Sequence, residues 1–289
     1  MSRVAYVNGR YLPHGAAEVH VEDRGFQFAD GVYEVIGVRR GRLVDGTGHL
    51  DRLDRSLDEL AIARPMARGA LLRVVAETLG RNGVVDGTIY MQATRGRARR
   101  EHVFPASAIE PSLVMTAKRG IGPANKSVGE GVAVLSQPDR RWSRCDIKAV
   151  GLLPNVLAKQ KAKEQGAYEA WLVDGEGAVT EGGSTNAWIV DKTGALVTRP
   201  ADRAILNGIT RQRVIALARA AGMTVVERPF ALDEAKSARE AFLTSTTSYV
   251  LPIVRIDDRP VGNGHPGEAA RSVLDLYVRY TESQGENLP

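Results

Sequence analysis

Apolar and polar positions change rhythm several times along the chain, and the changes mark its elements. "AYVNGRYLP" alternates on either side of Asn8-Gly9, a dipeptide that suits the left-handed backbone of a two-residue hairpin. "GVYEVIGVRRGRLVDG" predicts two more strands joined at Arg40-Gly41. In "HLDRLDRSLDELAI" the period lengthens, and Leu50, Leu53, Leu57 and Leu60 share one helical face. "ALLRVVAETLGRNG" predicts a second helix, stopped by Asn82-Gly83. "TIYMQATRG" and "PSLVMTAK" return to strands. Beyond a Gly-rich polar stretch, "RGIGPANKSVGEG", the segment "VAVLSQ" reads as a strand and "LLPNVLAKQKAKEQG" as a helix ended by Gly166. "EAWLVD", "NAWIVD" and "ALVTRP" predict a meander. "ITRQRVIALARAAG" predicts a helix with Ile209 as lead-in, Thr210 as cap and Gly222 as stop. "EAFLTS" is a strand and "EAARSVLDLYVRYTES" a closing helix.

This order of elements predicts an α+β chain in two domains, 1–118 and 126–289, joined by a linker at 119–125. At 289 residues the chain is long enough for two cores. Composition then narrows the function classes. With 43% hydrophobic and 25% charged residues, nothing marks disorder or a fibrous protein. The net charge of +5 is modest, and its basic residues alternate with acids, so nucleic-acid binding is not favoured. One cysteine, Cys145, excludes an internal disulfide and a cysteine-based metal site. No apolar run approaches the roughly 20 residues that cross a bilayer, and "MSRVAYVNGRYLPHG" has no signal-peptide core. The expected location is the cytoplasm, with no membrane partner.

Candidate chemistry begins with Lys148, placed in the otherwise apolar and bending stretch "RCDIKAVGLLPN". A strand-like alternation would set Lys148 opposite Ile147 and Ala149, and a lone lysine there ordinarily faces water. The alternative is a lysine kept for its amine, since an unperturbed pKa of about 10.4 leaves almost none of it neutral. Pyridoxal phosphate is the cofactor that most often recruits such a lysine. It would also need a phosphate site, an acid beside its pyridine nitrogen and a group that recognises substrate. "NGITR" offers Ile209 and Thr210 at a helix entry, where free N–H groups favour an anion. "TSTTS" offers hydroxyls at a strand end, including Ser245 and Thr246, and Arg52 adds a cation beside the Leu50–Leu57 stripe. "TEGGSTN" offers Glu181 as the acid, with Gly182 and Gly183 allowing close backbone approach. Taken singly, each has an ordinary structural reading as a cap, a polar turn, a solvated arginine or a surface carboxylate.

Taken in order, "EDRGFQFADGVYEV", "HLDRL", "RCDIK", "TEGGSTN", "GITR" and "TSTTS" resemble the fold-type IV (class IV) pyridoxal-phosphate enzymes. That family includes D-amino-acid transaminases, branched-chain aminotransferases and aminodeoxychorismate lyases. The resemblance runs from about Tyr6 to Leu276. It implies a small N-terminal α/β sandwich and a larger C-terminal β-barrel-like domain with helices. It implies that Lys148 carries the cofactor covalently and that Glu181 faces its pyridine nitrogen. Arg52, Ile209, Thr210, Ser245 and Thr246 would form the phosphate cup. Tyr33 with the Arg-x-His pair Arg100 and His102 resembles the substrate-carboxylate trap of D-amino-acid transaminases, where the pair comes from the neighbouring subunit of a homodimer. The resemblance therefore implies a transaminase that moves an amino group from a D-amino acid to a 2-oxo acid, with no metal. A branched-chain L-enzyme, an aminodeoxychorismate lyase and an R-selective amine transaminase are the alternatives within the family. The arginines at 95, 97, 99 and 100 could otherwise be a solvated loop or a patch for an acidic partner.

Overall fold

The computed structural model describes residues 3–122 and 125–289; residues 123 and 124, inside the expected linker, lie outside the described residues. The chain divides into two compact units. One takes Met1–Ile121 together with Ile147–Gly151 and Glu282–Pro289, and the other takes Gly122–Asp146 and Leu152–Thr281.

In the first unit the chain runs β1 (Val4–Val7), β2 (Arg10–Pro13), α1 (Arg24–Phe28), β3 (Gly31–Arg39), β4 (Arg42–Val44), α2 (Gly46–Glu59), α3 (Arg68–Asn82), β5 (Gly87–Thr94) and β6 (Ser112–Arg119). The strands make one antiparallel sheet in the order β2-β1-β6-β5-β3-β4. Both expected hairpin turns form, with Asn8 and Gly9 at φ 45° and 88° and Arg40 and Gly41 at 52° and 74°. One face of the sheet carries alternate residues Val32, Ile36 and Val38 of β3, Ile89, Met91 and Ala93 of β5, and Leu113 and Met115 of β6. Against them pack Leu50, Leu53 and Leu57 of α2 and Leu71, Val75 and Leu79 of α3. Burying each such leucine is worth roughly 1.5–3 kcal/mol. The helical stripe read from the sequence is thus the inner layer of the sandwich. Ile147, from the middle of the chain, is buried in the same core.

The second unit runs α4 (Asn125–Glu130), β7 (Val132–Pro138), α5 (Leu153–Glu164), β8 (Glu169–Val173), β9 (Val179–Gly182), β10 (Asn186–Val190), β11 (Leu196–Thr198), α6 (Ile209–Ala220), β12 (Val225–Glu227), α7 (Leu232–Lys236), β13 (Glu240–Ser245), β14 (Tyr249–Ile256), β15 (Arg259–Pro260) and α8 (Glu268–Ser283). Its mixed sheet has the order β12-β11-β10-β13-β14-β7-β8-β9, with β15 on β14. β9 lies back against β10, so the sheet curls into the barrel-like form that the family resemblance implies. Val134, Trp171, Val179, Ile189, Leu243 and Leu251 fill its interior. Ala158 and Ala162 of α5 pack outside, on Ala170 and Leu172 of β8.

Two local features differ from the sequence reading. β9 runs into the "TEGG" stretch, which reads as a turn when met alone. The N-cap of α6 is Gly208 rather than Thr210; Thr210 is already in helix and its side chain is buried. β14 contains Pro252, a residue that argues against a strand, but the parallel ladder to β7 starts only at Ile253, one residue later. Among the described residues no helix is long and apolar enough to cross a membrane.

Candidate active site

Lys148 follows a turn at residues 145–146, and the strand-like alternation expected around it shrinks to a single bridge between Ala149 and Val32. The segment is fastened to the start of β3. Tyr33 N–H donates to the Lys148 carbonyl at 3.0 Å and Val150 N–H to the Gly31 carbonyl at 3.0 Å. Lys148 N–H reaches Ser56 Oγ of α2 at 3.4 Å. With Ile147 buried on one side, the Lys148 side chain is turned across the Tyr33 ring, with Nζ 4.3 Å from its centroid. Among the described residues this half-buried ammonium makes no hydrogen bond and no ion pair. A cation over an aromatic face is held by ~1 kcal/mol, less than a buried ion pair would hold it. Tyr33 in turn packs on Tyr90, ring centroids 5.7 Å apart. Burial, with Tyr33 alongside, pushes the Tyr90 phenol up to about 12.

Arg52 does not reach out freely from α2, as its place beside the leucine stripe suggested. It is buried, and its Nε and Nη2 donate to the two oxygens of Glu34 at 2.7 and 2.9 Å. His49, one turn earlier on α2, places Nδ1 2.8 Å from Glu34 Oε2. Glu34 is fully buried in β3, on the same pleat face as Val32 and Ile36. Burial alone would raise its pKa, but the Arg52 charge and hydrogen bonds, with His49, hold the carboxyl far below the usual carboxylate range. Burial depresses His49, outweighing the pull of Glu34. His49 is therefore neutral near pH 7, and since Glu34 is ionised its Nδ1 must carry the proton and donate. Neither Glu34 nor His49 featured in the sequence reading.

Arg100 and His102 lie on the loop between β5 and β6, and both are exposed. The Arg100 guanidinium is 4.8 Å from the Phe28 ring centroid, and the His102 ring 5.5 Å from the same ring. Among the described residues no hydrogen bond joins either of them to Tyr33. The basic cluster divides in two: Arg97, Arg99 and Arg100 are exposed, whereas Arg95 is buried against Asp30.

In the second unit Glu181 is the penultimate residue of β9 and is 5% exposed. Arg141 Nη1 donates to Glu181 Oε1, which also accepts from Leu206 N–H at 3.1 Å. Asn186 Nδ2 donates to Oε2 at 3.0 Å. Arg141 is gripped from its other side by Asp139, through Nε at 3.0 Å and Nη2 at 2.7 Å. Burial alone would lower its pKa; the bonds to Asp139 and the charges of Glu181 and Asp139 more than reverse this and fix the guanidinium as a cation. Gly182 and Gly183 leave room for close neighbours. A Cβ on Gly182 would stand 2.1 Å from Thr185 Oγ1, and one on Gly183 2.8 Å from Lys159 Cγ.

Asn186 joins this carboxylate to the anion-site candidates. Besides Glu181 it donates to the Leu206 carbonyl at 2.9 Å, and it pairs with Thr244 across the β10–β13 ladder. Its Oδ1 lies 2.0 Å from where a Cβ on Gly208 would be, so only glycine fits at the start of α6. As a glycine cap, Gly208 supplies no side-chain acceptor, and the first N–H groups of this 12-residue helix, at Ile209 and Thr210, have no side-chain cap. Thr210 Oγ1 is 3.5 Å from the Tyr277 hydroxyl, and the Tyr277 ring meets Tyr249 edge-on at 5.0 Å. Tyr249 closes the turn that carries Ser245 and Thr246; Ser245 Oγ accepts from Ser248 N–H at 3.0 Å. Glu181, Ile209, Thr210, Ser245 and Thr246 are thus gathered within one unit. Helix N–H groups and hydroxyls are the donor set a phosphate dianion takes, and a carboxylate held in charged form is what a pyridinium takes. The residues present fit pyridoxal phosphate.

Comparison with known proteins agrees with this donor set. The family model described as amino-transferase class IV matches residues 31–256. The chain belongs to the class IV aminotransferases. It is accordingly an aminotransferase that depends on pyridoxal phosphate. Among the relatives of this class IV aminotransferase is the D-alanine aminotransferase of Bacillus licheniformis, 39% identical over 92% of this chain and 93% of the relative. The D-alanine aminotransferase of Staphylococcus haemolyticus is 38% identical over 96% and 98%. Among solved structures, the T.th. branched-chain amino acid aminotransferase with pyridoxamine 5'-phosphate superposes with a TM-score of 0.89 at 26% identity, over 98% of this chain and 95% of that one. The branched-chain aminotransferase of Thermoproteus uzoniensis with norvaline gives 0.86 at 27%, over 98% and 96%.

Proposed function

We propose that this class IV aminotransferase moves the amino group of a D-amino acid, such as D-alanine or D-glutamate, to a 2-oxo acid such as 2-oxoglutarate or pyruvate. The observation that carries the reading is the near-full-length similarity to D-alanine aminotransferases at 38–39% identity, against 26–27% for the branched-chain enzymes of like fold. The Arg100–His102 pair on an exposed loop supports it.

Lys148 is the residue that carries the cofactor, and Glu181 is the partner of its ring nitrogen. Ile209, Thr210, Ser245 and Thr246 receive the phosphate, with Arg52 as the cation. Bound pyridoxal phosphate supplies a ring that draws electrons and so loosens the Cα–H bond of the substrate. Lys148 Nζ takes the Cα proton and later returns one, acting as base and then as acid. The Tyr33 ring restrains the amine without neutralising it, so the amine keeps freedom to swing between those two tasks. Arg141 holds Glu181 as a carboxylate, and that fixed negative charge keeps a proton on the nitrogen it faces. Arg100 meets the substrate carboxylate with its planar fork, while His102 and the Tyr33 hydroxyl add hydrogen bonds.

The working form is a homodimer in which Arg100 and His102 serve the neighbouring subunit. Leu153, Val156 and Leu157, at helical spacing on α5, are 68, 57 and 63% exposed, and such an apolar face suits burial against a second copy. A cytoplasmic setting is in keeping with one buried thiol, Cys145, which burial pushes up to about 11. The deciding experiment is a spectrophotometric titration of the holoenzyme with paired D- and L-amino acids. D-Alanine is expected to convert the cofactor to its amino form and L-alanine to leave it unchanged. Conversion by L-leucine but not by D-alanine would turn the reading to the branched-chain alternative.

A further inference from the structure

The loop that presents Arg100 and His102 is held in an unusual way. Among the described residues, the only hydrogen bonds that fasten residues 99–111 come from one side chain, Arg24. Arg24 opens α1 and is 3% exposed. Its Nη1 donates to the Glu101 carbonyl at 2.6 Å and its Nη2 to the His102 carbonyl at 3.4 Å. Its Nε donates to Asp30 Oδ2 at 2.8 Å, so the fork is aimed from behind. Asp30 is shared with Arg95, whose Nε and Nη2 reach its two oxygens at 2.7 and 3.0 Å. Arg95 is itself fixed by the Ala61 and Leu60 carbonyls, both at 2.7 Å, and lies 3.7 Å from the Phe104 ring centroid near the middle of the same loop. One carboxylate thus orients two buried guanidinium groups, and both grip the loop.

Charge-assisted bonds of this kind carry geometric precision as well as strength. Two of the three groups held, the backbones of 101 and 102, flank or carry the side chains that meet the substrate. We propose that Arg24, aimed by Asp30, is a positioning residue that sets Arg100 and His102 for the substrate carboxylate. This rests on the reading of Arg100 and His102 given above. It extends the recognition apparatus to the buried Arg24 and the half-buried Asp30 behind it.

The test uses the holoenzyme and its Arg24→Lys variant. Lysine keeps the charge beside Asp30 but cannot also reach two carbonyls as a fork. Trypsin cleavage after Arg97, Arg99 and Arg100, followed by mass spectrometry well below the melting temperature, reads the loop directly. The expected result is several-fold faster cleavage there, together with a KM for D-alanine raised about tenfold while kcat stays within about twofold. Asp30→Asn, which leaves Arg24 in place without its aim, is expected to move both readouts the same way, and it carries the test should Arg24→Lys not fold. Cleavage at the parent rate, or faster cleavage with an unchanged KM, overturns the proposal. Arg100→Ala in the same assay judges the underlying reading: an unchanged KM there removes Arg100 from the carboxylate site, whatever the tryptic result shows for Arg24.

Discussion

Lys148 and Glu181 are held in opposite ways. The lysine, in the first unit, has a firm backbone and a loose head. Its carbonyl and N–H are fixed to Tyr33 and Ser56, yet among the described residues Nζ rests only on the Tyr33 ring. The glutamate, in the second unit, has both carboxylate oxygens bonded, by Arg141, Leu206 and Asn186. A group that must change partners during a reaction gains from weak restraint, whereas a group that only supplies fixed charge gains from a rigid cage, since no reorganisation is then needed. On the function proposed above, the contrast separates a working side chain from a supporting one.

The sharpest way to break that contrast is Lys148→Ala. Transamination of D-alanine is expected to fall by at least ~1000-fold, measured in steady state, while thermal stability changes by less than ~1 kcal/mol. Substantial residual turnover would return Lys148 to the ordinary surface lysines. Arg141→Gln should behave in the reverse manner. Removing one member of a buried ionic group leaves Asp139 and Glu181 uncompensated, and the denaturant midpoint should fall by an amount worth ~3 kcal/mol. Glu181→Gln should weaken cofactor affinity by about 10- to 100-fold, read by equilibrium dialysis, because a charged acceptor becomes neutral. An unchanged affinity would detach Glu181 from the ring nitrogen. Smallest is a pH effect on the first unit. The pKa of His49 is lowered by folding, so the unfolded chain binds its proton first, and stability falls as pH drops below about 6.5. Glu34, also depressed, adds to the loss below about pH 4. Melting curves of His49→Gln should decline less between pH 6.5 and 5 than those of the parent.

Where periodicity was long and clean, the sequence was enough to read the element. Leu50, Leu53 and Leu57 read as a core face and are one, and both primed turns fall where Asn8-Gly9 and Arg40-Gly41 put them. Lys148 and Glu181 stood out in the sequence because the proposed chemistry demands particular residue types. What was hidden depends on register between distant strands. Arg141 meets Glu181 forty residues away only because β7, β8 and β9 lie side by side. Asn186, in the quoted "TEGGSTN", links Glu181 to the start of α6 through contacts that no spacing rule gives. One hidden residue did leave a trace. Glu34 falls on the inward beat of Val32, Ile36 and Val38, and a carboxylate on a core-facing register needs a buried cation, which Arg52 supplies.

The chain visits the first unit three times, ending with residues 282–289 after contributing residues 147–151 from mid-sequence. A fragment cut at residue 121 would therefore lack Ile147 from its packed interior, along with Glu286, whose backbone bridges Leu43 and whose carboxylate binds Thr47. It would also lack Lys148 altogether. The first unit therefore cannot bring its full set of contacts together until residues 282–289 have joined it.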